Sequence, residues 1–178
     1  MIDQLQIGAM PYSFEGSMFE FSDMDQFKTK WQDLYDRKGT EEYFLEFLDG
    51  SDIEQKIYQA MQLDSVGSVD PKDLELFFEI LDEDKIKTEA QAFAFWFCTS
   101  HLGYEPSVAF DIFEDLIIFQ GTPEEYAEDY VFSCVPSCDI PAIIQDFIDF
   151  ERMGQDMIDE GSLVYFKEEG FCVDPRSI

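Results

Sequence analysis

The sequence predicts an α+β protein built from three small modules: an α/β module over residues 1–50, a helical bundle over 51–120, and a second α/β module over 121–178. Three observations predict it. Short aromatic runs with strand character flank a helix at the start of the chain. Four helical patterns crowd into the middle 70 or so residues. A final turn-punctuated segment reads as a hairpin after a well-capped helix. The 178 residues carry 19 Phe, 8 Tyr and 2 Trp, and 46% of them are hydrophobic. That suffices for a core, although the formal net charge is −29. Acidic disordered tails lack the apolar surface needed to offset chain entropy.

Each element follows from a local signal. Residues 5–9 (LQIGA) and 17–21 (SMFEF) read as strands around a turn containing Gly16. Residues 23–37 read as a helix, with Phe27, Trp31 and Leu34 at helical spacing and Asp23 at its start. Residues 42–48 (EYFLEFL) read as a strand ending at Asp49 and Gly50. Ile53, Ile57, Tyr58 and Met61 mark a helix over 52–63. Asp70 and Pro71 supply a cap and a first-turn proline, followed by Leu74, Phe77, Phe78 and Leu81. Residues 88–101 form a strongly apolar helix ending before Gly103, and 106–118 are expected to form another. Thr122, Pro123 and Glu125 make a capping box for a helix reaching about Cys134. A proline-containing loop covers 135–141. Residues 142–150 and 151–160 are apolar-periodic and expected to be helical, and 162–173 form a hairpin turning at 168–170.

The charge narrows function. Forty acids stand against 11 Lys and Arg. Such a chain repels nucleic acid and anionic lipid surfaces, and offers little for phosphoryl sites. The excess is spread along the chain: −7 over residues 1–50, −11 over 51–120 and −11 over 121–178. Between Lys87 and Arg152 lie 64 residues with 13 acids and no Lys or Arg. Ordinary solvated surfaces mix the two signs, because like charges oppose compaction. No apolar run is long enough for a membrane span, and no basic region followed by an apolar block marks a secretion signal.

Chemistry-bearing motifs are sparse. His101 is the only histidine, and at a helix end it reads as a capping or surface residue. No nucleophile is marked, and with so many carboxylates a chance pair carries no information. No enzyme activity is expected. Cys98, Cys134, Cys138 and Cys172 read as free, buried thiols. A zinc site drawn from Cys98, His101, Cys134 and Cys138 lacks the tight CxxC spacing. The stretch 82–87 fails as a calcium loop, with Ile86 and Lys87 where an acid and a glycine are needed, and 49–54 fails as well. No cofactor or metal is expected.

What remains is the field. B-DNA carries one charge per ~1.7 Å of axis, so 29 charges match roughly 49 Å, about 14 base pairs. Carboxylates at i and i+4 on a helix lie about 5–6 Å apart at Cβ, comparable to phosphate spacing along a strand. A phosphate-like array on a rigid scaffold is one reading; acidity for solubility or a saline environment is the other. The phosphate-mimicking candidates are Asp111, Glu114, Asp115, Glu124, Glu125, Glu128 and Asp129, all in the stretch without bases.

Residues 121–130 (GTPEEYAEDY) look like the E-E-Y-A-E segment of the ArdA antirestriction family. Ile140 and Pro141 follow at the expected distance. Residues 144–157 then resemble the family's antirestriction motif: an apolar pair, an aromatic, Asp, an aromatic, Glu, then a small residue, a polar residue and Asp. Phe147, Ile148, Asp149, Phe150 and Asp156 are its counterparts here. The terminal hairpin also fits, and residues 39–43 (GTEEY) occupy the place of an E-E-aromatic signal in the first module. Departures are Gln155 in place of an arginine, YSFEG at 12–16 in place of an Asn-Gly-rich turn, LEFLD at 45–49 in place of a His-Asp-Tyr-like segment, and a local variation at 133–139. The resemblance implies an elongated, three-module, usually dimeric mimic of bent B-DNA. Such a mimic occupies the DNA-binding groove of type I restriction-modification enzymes in the host cell cytoplasm and is carried by phages, plasmids or transposons. It implies that the motif around 143–157 contributes the dimer contact, and that neither nucleic acid nor membrane is a partner. An acidic adaptor or inhibitor of another basic DNA-binding protein, such as a defence nuclease, nucleoid or repair protein, is the alternative.

Overall fold

The computed structural model describes residues 5–11, 18–38, 43–64, 70–134 and 140–178. The expected Gly16 turn, residues 39–42 and Cys138 lie outside them. The fold is mixed α and β, and the chain divides into two compact units, Met1–Phe113 and Glu114–Ile178.

In the first unit, β1 (Gln6–Pro11) is the centre of an antiparallel sheet between β2 (Phe19–Phe21) and β3 (Tyr43–Asp49). Ile7 stands opposite both Phe21 and Phe47. The alternating pattern puts Ile7, Ala9, Phe21, Tyr43 and Leu45 inside. α1 (Met24–Lys38) delivers Phe27 to that face, with ring centroids 5.0 Å from Phe21 and 5.2 Å from Tyr43.

α2 (Asp52–Ala60) starts at a reciprocal capping box between Ser51 and Glu54. α3 (Pro71–Asp82) starts at Asp70, whose carboxylate accepts the Lys72 N–H at 2.9 Å. α4 (Glu89–Trp96) begins at a Thr88–Gln91 box and runs into a π-helical turn, Phe97–His101. α5 (Pro106–Ile112) follows. Aromatic rings knit these helices together. Phe95 meets Phe110 and Phe113, each at 6.4 Å. Rings also join the helices to the sheet: Phe78 lies 6.2 Å from Phe21, and Tyr58 lies 5.5 Å from Phe47. The stretches expected as a first module and most of a middle module therefore share one unit.

One helix was expected to run through 118. The chain instead leaves α5 through a 3-10 turn, Phe113–Asp115, and enters β4 (Ile117–Gln120). Ile117, Ile118 and Phe119 favour a pleated surface, and their partner lies far along the chain: Ile118 pairs with Val173 and Phe119 with Cys172.

The second unit packs two helices on a sheet of order β4-β6-β5, where β5 is Val164–Phe166 and β6 is Phe171–Asp174. The expected hairpin is there, and its turn closes with the Gly170 N–H on the Phe166 carbonyl at 2.8 Å. α6 (Pro123–Cys134) lies against the helix at Phe150–Asp159. The expected helix over 142–150 is shorter: α7 is Ala142–Gln145, and α8 (Phe150–Asp159) starts afresh. Asp149 causes the break by accepting the Arg152 N–H at 3.0 Å as an N-cap. Tyr126, Ala127, Met157, Leu163 and Cys172 form the core, with Phe119, Phe150 and Met153 packed around it.

Asp174 is buried in this unit. Arg176 closes on it with two bonds, Nε to Oδ1 at 2.8 Å and Nη2 to Oδ2 at 2.6 Å, and the Tyr126 hydroxyl donates to Oδ2 at 3.3 Å. The Arg176 hydrogen bonds hold the Asp174 carboxyl below its ordinary pKa.

Two outcomes follow. The α6–α8 contact is so close at Gly154 that an added Cβ would run into the Pro123 carbonyl. Gly154→Ala should lower the unfolding free energy by ~1–3 kcal/mol, as overpacking of this kind does, and be read as a lower urea midpoint. A carboxylate with a lowered native pKa stabilises the fold above its unfolded pKa of about 3.9, and this contribution is lost as pH falls through the native value. Asp174→Asn should be less stable than wild type at pH 7, and the gap should close on acidification below about pH 4. Paired denaturation curves across that range check it.

Candidate functional site

The seven acidic candidates are all exposed. Asp111 sits on α5 of the first unit, and Glu114 and Asp115 sit in the 3-10 turn that opens the second. Glu124, Glu125, Glu128 and Asp129 lie on α6. Helical spacing brings the α6 four together as two i,i+4 pairs, Glu124 with Glu128 and Glu125 with Asp129.

Among the described residues, none of the seven is ion-paired. The cations go elsewhere: Lys28 to Glu75 at 2.7 Å, Lys85 to Glu83 at 2.8 Å, Lys87 to Asp84 at 2.7 Å, and Arg176 to Asp174 at 2.6 Å. Two further pairs are long, Lys56 with Glu89 and Arg152 with Asp156, both at 3.9 Å. The field of α6 is thus not cancelled by any cation pairing along it.

Glu125 differs from its neighbours. Its carboxylate accepts the Thr122 N–H at 2.8 Å and the Thr122 hydroxyl at 3.0 Å, while its own N–H donates back to that hydroxyl at 3.3 Å. These bonds lower its pKa. Glu125 therefore fastens the start of α6 as well as carrying charge. Asp129 accepts a long hydrogen bond from Ser133, at 3.5 Å.

The motif residues separate into several environments. Phe150 is half-buried and packs on the core, 5.9 Å from the Phe132 ring. Asp149 is the α8 cap and Asp156 is exposed. Ile148 is half-buried. Phe147 points out, 82% exposed, in the turn between α7 and α8. Ile143 at 75% and Ile144 at 51% share this exposure. Together they make an apolar surface at α7. Ile143 and Ile144 fall in the stretch 142–150 that the sequence predicts as one apolar-periodic helix. The signal that could have exposed them is Asp149, whose capping chemistry ends the helical run and leaves four residues too short to bury a face.

Other candidates resolve individually. His101 is exposed at the π-turn, stacked on Phe97 at 4.6 Å. Cys98 and Cys172 are buried thiols, and burial pushes each up to about 11. Cys134 is exposed, unlike the buried thiol expected. Among the described residues no group of three or more His, Cys, Asp and Glu is placed to hold a metal ion. No helix among them is long and apolar enough to cross a membrane.

No protein-family model and no curated protein matches the chain.

The exposure of Phe147 separates it from the core residues by stability. Phe147→Ser should change the unfolding free energy by no more than ~0.5 kcal/mol, as surface substitutions do. Met157→Ala, in the core between the helices and the sheet, should cost ~2–5 kcal/mol. Chemical denaturation of the two variants at low protein concentration makes the comparison.

Proposed function

We propose that this protein is a DNA mimic that inhibits restriction: it occupies the DNA-binding groove of a type I restriction-modification enzyme and so protects incoming phage or plasmid DNA in the host cytoplasm. The observation that carries the reading is the row of exposed carboxylates on α6 that no cation pairs among the described residues, set on a helix that is capped at its start and packed against α8. A phosphate mimic needs charges at fixed spacing on an ordered element, and a tail-type acidic chaperone does not.

In this reading no bond is made or broken. Inhibition is competition for a basic groove, driven by charge and by release of the counterions condensed on both partners. The resemblance to the ArdA family supplies the target class. It also supplies the dimer, for which the outward-facing Phe147, Ile143 and Ile144 offer an apolar contact surface.

The test is a displacement titration. Labelled duplex is pre-bound to a type I methyltransferase core and this protein is added at several salt concentrations. Stoichiometric displacement that weakens as salt rises is expected. The triple variant Glu124→Gln, Glu128→Gln, Asp129→Asn should displace less well and lower the salt slope by up to about 3. Glu125 is left in place because it holds the cap. Failure of the folded protein to displace DNA at low salt would overturn the target and direct the search to other basic DNA-binding proteins.

A further inference from the structure

The sheet of the first unit has two faces of different character. Ile7, Ala9, Phe21, Tyr43 and Leu45 are buried on the inner one, against Phe27 of α1. Strand alternation turns Met10, Met18 and Leu48 to the other side, where they are 44%, 40% and 38% exposed. The solvent face of an antiparallel sheet is ordinarily polar. These side chains adjoin one another. A Cβ added at Gly8 would run into the Met18 terminal methyl and lie 3.2 Å from Leu48 Cδ1, so both fold over the same glycine. Met10 is the next residue on that face of β1, and half-buried Phe44 stands opposite it. Two carboxylates flank this apolar strip: Gly8 is opposite Glu20 on β2 and Glu46 on β3. Among the described residues no cation pairs with either. Lys30 bonds the Glu20 main-chain carbonyl, at 2.5 Å.

We propose that this outer face docks one basic amphipathic helix of a partner protein, its apolar stripe on Met10, Met18 and Leu48 and its Lys or Arg flanks on Glu20 and Glu46. The dimensions suit a single helix. Strands lie about 4.8 Å apart, so the outer two are separated by roughly 10 Å, close to the diameter of a helix. The six residues of β1 run about 20 Å, the length of roughly 13 helical residues. Charge chooses the occupant. A helix with bases on both flanks meets a carboxylate on each side of the apolar strip, whereas a second copy of this face would set Glu20 and Glu46 against like charges. Methionine suits such a surface, because its unbranched, polarizable side chain repacks around different apolar partners. The face belongs to the first unit and its proposal does not depend on the α6 carboxylates of the second.

The test uses the full chain at physiological ionic strength and three designed helical peptides: a leucine stripe flanked by lysines, the same stripe flanked by glutamates, and a serine stripe flanked by lysines. Calorimetry should give saturable one-to-one binding of the first, with the other two at least about tenfold weaker. NMR methyl shifts should centre on Met10, Met18 and Leu48. Met10→Ser with Leu48→Ser should weaken binding about tenfold. Glu20→Lys with Glu46→Lys, which leaves the apolar strip intact, should weaken the lysine-flanked peptide and strengthen the glutamate-flanked one, an exchange that loss of folding does not produce. Ile143→Ser with Phe147→Ser, in the second unit, should leave binding unchanged. Equal binding of the serine-striped peptide would show general attraction to an acidic surface and overturn the proposal. So would loss of binding in the Ile143 and Phe147 variant, or a dimer that Met10→Ser with Leu48→Ser dissociates in sedimentation, since the face would then be occupied by a second copy.

Discussion

Like-charge repulsion is the constraint the rest of this structure answers to. A chain with a formal charge of −29 gains electrostatic free energy by expanding, so the compact state must be held by burial of apolar surface. The rings do this. In the first unit Phe21, Phe27, Phe77, Phe95, Phe97 and Phe113 are almost completely buried, and their edge-on and tilted contacts connect sheet to helix and helix to helix. Among the described residues carboxylates are kept out of the interiors, except Asp174 in the second unit, which is neutralised by a two-bond contact with Arg176 and a third bond from Tyr126. An unpaired carboxylate there would carry a large desolvation cost.

The acids also contribute locally to the fold. Glu54, Asp70, Glu125, Asp149 and Asp174 each sit at a helix or turn start and accept backbone N–H groups. Negative charge there is favoured by the helix dipole as well as by hydrogen bonding. The opposite ends lack the matching cations: the last turns of α2, α3, α4, α6 and α8 contain no basic residue. This asymmetry means that removing an acid has two opposite effects, relief of repulsion and loss of a cap. Glu125 is on the losing side of that balance, whereas Glu124 and Glu128 carry no cap.

What the sequence disclosed is what short-range chemistry controls. Asp70 with Pro71, Thr122 with Glu125, and the Glu168–Gly170 turn fixed element starts and a hairpin correctly, since each acts within four residues. What it concealed depends on distant partners. Ile117 and Ile118 continue a helical period on paper, and only β6, more than fifty residues later, makes them a strand. Phe147 and Ile143 look like core residues because hydrophobicity alone does not say which way a four-residue helix faces. The exposure of the seven acids was legible from polarity, but the division of labour within them was not. Glu125 is a cap, and Asp111 lies in a different compact unit from the rest.

These features separate two kinds of recognition by how they respond to change. A charged helix face such as α6 presents several carboxylates at once, so a partner recognising it would sense their number and spacing. Each removal would shift affinity a little, and salt would shift it a great deal. A local pocket would instead offer few groups in fixed places, partly shielded from solvent. Its response would be concentrated in individual residues, selective for donor geometry, and less sensitive to ionic strength. The slope of affinity against salt therefore distinguishes a collective surface from a local site.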